Sequence, residues 1–274
     1  MADVADETHP SDVLACPHCR LPLTLGPHEA RCATGHSFDR GRGGYLNLMV
    51  GGRLSSGALA GDTPDALAAR RRFLTAGGYA PIAGALAEMV GTVDGAVLDV
   101  GCGEGYYTAH LAAACRFGLD VSKRAVQMAA RSMPDSTFVV GSAYRLPVQD
   151  ASVSVVTSVF APHPLDEFAR VLRPGGRWVT VTPGPRHLVE MRPSGDGVAG
   201  SKALDRQRRR AEPPEGSTHA RRLEFRLELD DTTADDLFLM TPIRWQASVR
   251  PPVDAVSVDV WVATADREPT TADH

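Results

Sequence analysis

Cys16, Cys19, Cys32 and His36 lie close together near the start of a 274-residue chain, spaced C-x2-C-x12-C-x3-H. Two such knuckles, each offering two thiolate or imidazole ligands, can converge tetrahedrally on Zn²⁺. Four protein ligands leave no open position, so the metal is expected to be structural and to supply folding energy. His18, between the first two cysteines, and His28, in the connecting loop, fit that pattern less well. Cys102 and Cys115 stand apart, and an odd cysteine count argues against a disulfide framework.

The second constellation is a glycine run, Asp99-Val100-Gly101-Cys102-Gly103-Glu104-Gly105, followed by Asp120 twenty-one residues after Asp99. Glycines there let backbone approach a ligand closely. An acidic residue closing the next strand can accept hydrogen bonds from both hydroxyls of a ribose. A dinucleotide fingerprint would need Gly or Ala three residues after Gly103, where Tyr106 stands. The third glycine comes early instead, a form typical of enzymes that bind S-adenosylmethionine (SAM), which has no pyrophosphate to seat. Asp99 is then placed to act on the cofactor's amino group.

The elements positioning these residues follow from pattern. Apolar runs at 96–101, 117–122, 137–143, 152–162 and 176–183 read as strands. Between them, residues 107–114, 123–132 and 164–172 read as helices. Such alternation predicts an α/β fold with a parallel sheet covered on both faces. Upstream, Asp62 or Thr63 can cap a helix with Pro64 in its first turn, running to Ala76 before Gly77-Gly78. A second helix is expected over residues 81–90. Downstream, 223–229 and 255–264 read as strands and 233–240 as a helix.

Four segments are expected: a disordered lead-in (1–12), a zinc-binding module (13–48), a linker (49–65) and a methyltransferase domain (66–274). Within the last, residues 192–218, with Arg208-Arg209-Arg210, read as a mobile loop. Composition is that of a globular chain, 43% hydrophobic and 23% charged. No apolar run reaches membrane-spanning length and the N-terminus has no signal-like core, which points to the cytoplasm. A net charge of −4 hides an excess of four positive charges over residues 13–78 and another over 200–222. Arg40, Arg42, Arg70, Arg71 and Arg72 flank the linker and are the candidate phosphate contacts.

Zinc pattern, glycine loop and several further stretches together resemble the bacterial 23S rRNA (guanine-N1)-methyltransferases, a family with members that confer macrolide resistance. The stretches are CPHC…C…GHSFD, GGYLNL (43–48), Gly61-Asp62, AARRRFL (68–74), GGYAP (77–81), LDVGCGEGYYT (98–108), GLDVSK (118–123), RLP (145–147), FAP (160–162), RPGG (173–176), TPGPRHL (182–188) and TPIRW (241–245). The resemblance runs from about residue 14 to 263. It implies a Rossmann-like class I SAM methyltransferase with a small N-terminal zinc-binding module, acting on 23S rRNA as a homodimer. It implies that Cys16, Cys19, Cys32 and His36 hold zinc and that Tyr79, Gly103, Glu104 and His187 contact SAM. Between Arg192 and Thr218 the chain departs from the family, which has more regular helix there.

The chemistry expected is transfer of a methyl group to guanine N1, a protonated and weakly nucleophilic nitrogen, so a general base or stabilisation of O6 helps. His163, after the fourth strand, is the candidate base, and Phe160 can hold an unstacked guanine. The residues also admit a SAM enzyme acting on a small metabolite or antibiotic, a non-catalytic zinc-ribbon RNA-binding protein, and an NAD-dependent oxidoreductase.

Overall fold

The computed structural model describes residues 13–50, 63–192, 210–247 and 249–267. The expected lead-in, most of the linker and most of the 192–218 loop lie outside the described residues. The chain divides into two compact units, Met1–Gly52 with Val90–Val179 and Ala265–His274, and Arg53–Met89 with Thr180–Thr264.

The first unit is built on strands β5 (Thr92–Val100), β6 (Ala112–Asp120), β7 (Thr137–Val140), β8 (Val153–Val159) and β9 (Leu172–Pro183), the last running on into the second unit. Their order is β9-β8-β5-β6-β7, and β5 pairs in parallel with both β6 and β8. The chain therefore leaves β5 in one direction, through β6 and β7, and returns to its other side as β8. Open α/β sheets bind ligands outside the carboxyl ends of strands at such a reversal. β8 is buried along its whole length, as a strand covered on both faces must be. Helix α3 (Lys123–Ser132) starts at Ser122, whose Oγ accepts from Ala125 N at 3.3 Å. It buries Val126, Ala129 and Ala130 in a cluster with Phe138 and Val140.

The zinc segment supplies the short strands β1 (Leu23–Leu25), β2 (Glu29–Cys32) and β3 (Ser37–Asp39), an antiparallel sheet of their own. Its last strand, β4 (Leu46–Asn47), pairs in parallel with β7 and becomes the edge of the large sheet. Tyr45, from GGYLNL, joins the α3 cluster. A segment too poor in aliphatic residues for its own core thus borrows one.

Residues 107–114 do not form the expected helix. A 3-10 turn over Thr108–His110 leads directly into β6, which starts at Ala112 opposite Thr92. Pairing of Ala112 and Ala113 with a β5 that begins four residues earlier than expected claims the alanine-rich stretch, and tertiary pairing outweighs local propensity. β9 likewise begins at Leu172 and takes in the whole RPGG stretch.

Helix α4 (Leu165–Val171) also belongs to the first unit. In the second unit, α1 (Pro64–Thr75) is capped by Thr63, with Pro64 opening its first turn, and it packs on α5 (Asp231–Met240). Buried Asp236 of α5 accepts from Arg72 Nε at 3.0 Å. Helix α2 (Ala80–Val90) and the antiparallel pair β10 (His219–Glu228) and β11 (Ala255–Asp266) complete the unit. Among the described residues no single helix is long and apolar enough to cross a membrane.

Gly101, at the exit of β5, has φ +79°, and a Cβ there would stand 2.3 Å from the Cβ of Ala161, at the exit of β8. Gly101→Ala is expected to lower stability by at least about 1–3 kcal/mol, from backbone strain alone. A denaturant titration showing an unchanged midpoint would contradict this close approach.

Candidate cofactor and metal sites

The four candidate ligand side chains come from two turns, so the metal cluster is non-local. Cys16 and Cys19 flank a tight turn closed by the Arg20 N–H donating to Cys16 O at 2.8 Å. Cys32 and His36 flank the β2–β3 turn, where Cys32 N donates to His36 O at 3.0 Å. All four ligand atoms lie within 4.8 Å of one another. Cys19 and Cys32 sulfurs are 3.6 Å apart, and His36 Nδ1 is 3.6 Å from Cys16 Sγ and 3.4 Å from Cys32 Sγ. A tetrahedron with Zn–S of ~2.3 Å has edges of about 3.7 Å, so the set fits zinc. Burial works against ionisation of Cys32, but hydrogen bonds from Thr34 and His36 hold its thiol down to about 5. That favours the thiolate a metal requires. His18 stacks on Phe38, with centroids 5.9 Å apart, outside the ligand set.

The glycine loop lies at the β5/β8 reversal and is tied down by carboxylates. Asp120 ends β6; its Oδ2 accepts from Gly103 N at 2.9 Å and its Oδ1 from Ser122 N at 2.8 Å. The half-buried carboxylate lies at the strand end where a ribose would be bound. Asp99 is turned into the protein. It is 1% exposed, and its oxygens accept from Thr108 Oγ1 at 2.6 Å and Thr157 Oγ1 at 3.0 Å. The carboxylate expected at the cofactor's amino group instead laces the 3-10 turn and β8 to β5. Thr108 closes the LDVGCGEGYYT stretch, whereas Thr157 gave no motif signal. Glu104 is half-buried in the loop.

Beyond β8, Phe160 is 38% exposed and holds φ +54°, an uncommon backbone for an aromatic residue. His163 Nδ1 lies 3.3 Å from Ala161 O. Nδ1 can donate to that carbonyl, and in that tautomer Nε2 keeps a lone pair.

Tyr79 and His187 belong to the second unit, their ring centroids 6.1 Å apart. Tyr79 is buried edge-on to Phe73, and burial pushes its phenol pKa up. Burial, with Arg210 and Arg192 nearby, pushes His187 down to about 3, so its ring is neutral. Asp259 N donates to His187 Nδ1 at 3.4 Å, leaving Nε2 as the protonated nitrogen. Asp259 also accepts from Arg186 N at 2.7 Å and from both arms of Arg222 at 2.8 Å. It organises the TPGPRHL stretch and was missed; the one signal was a lone carboxylate inside apolar AVSVDVWVAT.

Among the arginine candidates, Arg42 and Arg71 are exposed. Arg40 is turned inward: it donates to Gly26 O at 2.8 Å and Gly44 O at 2.7 Å and braces the ribbon's loops. Arg72 is engaged by Asp236, and Arg70 is half-buried.

Two predictions follow from this geometry. Burial raises Asp99 to about 6, partly offset by the threonine hydroxyls. Between pH about 4 and about 6 the folded state therefore binds more protons than the unfolded chain, and stability falls as pH rises, by roughly 3 kcal/mol. Denaturant midpoints for wild type minus Asp99→Asn should carry that slope; parallel pH profiles would refute it. Cys32→Ser is expected to abolish tight retention of one zinc per chain, measured by elemental analysis, and to open residues 13–48 to protease. One retained equivalent in the variant would exclude Cys32 as a ligand.

Comparison with known proteins agrees with this picture. A family model described as "RlmA, N-terminal", a zinc ribbon, matches residues 14–50, and one described as "Methyltransferase domain" matches 97–176. A putative 23S rRNA (guanine-N(1)-)-methyltransferase of Micromonospora griseorubida is 37% identical over 93% of this chain and 95% of its own length. The 23S rRNA (guanine(748)-N(1))-methyltransferase of Streptomyces fradiae is 38% identical over 65% of this chain and 66% of its own. YxjB of Bacillus subtilis, a putative 23S rRNA (guanine-N(1)-)-methyltransferase, is 29% identical over 92% of both chains. With a zinc-ligand cluster at one end of the first unit and a SAM-type glycine loop at its sheet reversal, and with identity to such a relative along nearly its whole length, this chain belongs to the 23S rRNA (guanine-N1)-methyltransferase family.

Proposed function

We propose that the protein transfers a methyl group from SAM to N1 of a guanine in a 23S rRNA hairpin. The observation that carries the reading is the 37% identity to a putative enzyme of that kind over 93% of the chain. SAM, when bound, supplies an electrophilic methyl group on a sulfonium. Asp120 and the backbone of Gly101, Gly103, Glu104 and Gly105 are proposed to hold it, with Asp99 fastening the loop from beneath. Tyr79 and the neutral His187 are proposed as further SAM contacts on the strength of the family resemblance. Cys16, Cys19, Cys32 and His36 are proposed to ligate the zinc.

His163 takes the role of general base. Its Nε2 lone pair can accept the proton of guanine N1, and Phe160 can stack on the base once it has left the helix. Of the arginines, exposed Arg42 and Arg71 are the proposed phosphate contacts. Substrate and ribosome share the cytoplasm, where the enzyme is placed. Assembly as a homodimer, which the resemblance implies, is read by sedimentation.

Labelled SAM incubated with naked 23S rRNA should label guanine N1, and small-molecule extracts should stay unlabelled. Label in the extracts alone would replace this reading with that of a small-molecule methyltransferase. His163→Gln should lower kcat about 10²–10⁴-fold with SAM affinity unchanged, the ordinary contribution of a general base. Arg42→Glu should weaken RNA binding and flatten its salt dependence by about 0.7–0.9 in log–log slope. An unchanged salt slope would remove Arg42 from the interface.

A further inference from the structure

Arg20 follows the ligand Cys19 directly and has φ +64°, a left-handed backbone uncommon outside glycine. Its guanidinium leaves the ribbon: Nη1 donates to Leu146 O at 2.8 Å and Nη2 to Val148 O at 2.9 Å. Its own carbonyl accepts from Gln149 Nε2 at 2.9 Å. Main-chain bonds run beside it, Ala15 N to Pro147 O at 2.9 Å and Gln149 N to Val13 O at 2.8 Å.

The same two carbonyls are gripped again from behind. Arg170 donates to Val148 O at 2.8 Å and to Leu146 O at 3.1 Å, while Glu167 accepts from Leu146 N at 2.6 Å. Asp150, 2.7 Å from Arg170 and 3.8 Å from Arg20, offsets the like charges. Arg20, Arg145, Arg170, Asp150, Glu167 and Gln149 line a pocket of about 530 Å³ at this seam.

The clamped segment begins at Gly141, on the carboxyl edge of β7. Gly141 N donates to Asp120 O at 3.0 Å, and a Cβ on Gly141 would meet Leu119 at 2.9 Å and Pro147 at 3.4 Å. Arg20, on Leu146 O and Val148 O, therefore flanks Pro147, which lies beside Gly141, whose N–H is bonded to the main-chain carbonyl of Asp120, the residue whose carboxylate holds Gly103. The N–H of Arg20 closes the Cys16–Cys19 turn on Cys16 O, so a metal on Cys16 and Cys19 would restrain the backbone that aims the guanidinium.

We propose that Arg20 is a positioning residue through which zinc occupancy sets the affinity for SAM. The inference rests on the reading that Asp120 and the glycine loop hold SAM. Coupling between two sites is reciprocal in binding free energy, so bound SAM must tighten zinc binding by the same factor.

Calorimetry with SAM on the full chain, zinc-loaded and zinc-stripped, tests the first half. Stripping should weaken SAM binding about 5–50-fold, within the usual range of such couplings. Loaded Arg20→Ala should show a comparable loss while keeping one zinc, and stripping it should add less than about 3-fold. Equilibrium competition for zinc with a chromogenic chelator tests the second half. SAM should raise the apparent zinc affinity of the wild type, have little effect in Arg20→Ala, and act weakly in Arg20→Lys, which can reach one carbonyl but not both. A SAM affinity in loaded Arg20→Ala equal to wild type, or a zinc affinity of the wild type indifferent to SAM, overturns the role of Arg20 alone. Loaded wild-type protein that binds no SAM overturns the cofactor reading as well.

Discussion

Two hydrogen bonds to the Asp120 carboxylate, from Gly103 N and Ser122 N, hold the first unit's working edge together. One fixes the glycine loop against the end of β6. The other sets the start of α3, because Ser122 is also that helix's cap. The loop has little regular structure of its own, only a three-residue 3-10 turn. Its shape is therefore imposed from outside, by Asp120 on one side and by Asp99 with its two threonines on the other. The two carboxylates divide the labour by burial. Asp99 is sealed in and spends its oxygens on hydroxyls, whereas Asp120 remains partly open.

The parts legible in the sequence were those encoded by spacing. C-x2-C-x12-C-x3-H brings four ligand atoms together because each pair sits on one short turn. The glycine run and Asp120 fall at adjacent strand ends because βαβ-like units repeat at that interval. Thr63 and Pro64 behave as local capping chemistry requires. What failed was whatever depends on partners distant in sequence. Alanines 112 and 113 favour helix locally, but pairing with Thr92 and Val93 makes them strand. Arg40 and Arg72 look like phosphate ligands by charge alone, yet carbonyls and a buried carboxylate claim them. Asp99 looked like a cofactor ligand by position, and Thr157, 58 residues away, turned it inward.

The second unit shows a similar logic around one buried charge. Asp259 is 1% exposed within β11, and Arg222, on the neighbouring strand β10, neutralises it with two parallel bonds. Gly184 is the residue that allows this, since a Cβ there would stand 2.2 Å from the Asp259 carboxylate. The TPGPRHL stretch thus wraps a carboxylate, and the wrapping decides the tautomer of His187. A histidine held neutral with one nitrogen committed to the backbone presents a fixed hydrogen-bond donor, not a titrating switch.

The edge position of β4 has a consequence for solubility in the cell. β7 would otherwise end the sheet with a row of open amides and carbonyls, a template for pairing with another chain. Leu46 and Asn47 pair with Val139 and Val140, and Leu48 N adds a bond to Val140 O at 2.9 Å. Were the ribbon to unravel, it would uncover that edge beside the buried α3 cluster. A chain whose ribbon has yet to fold would then carry an open template for edge-to-edge self-association.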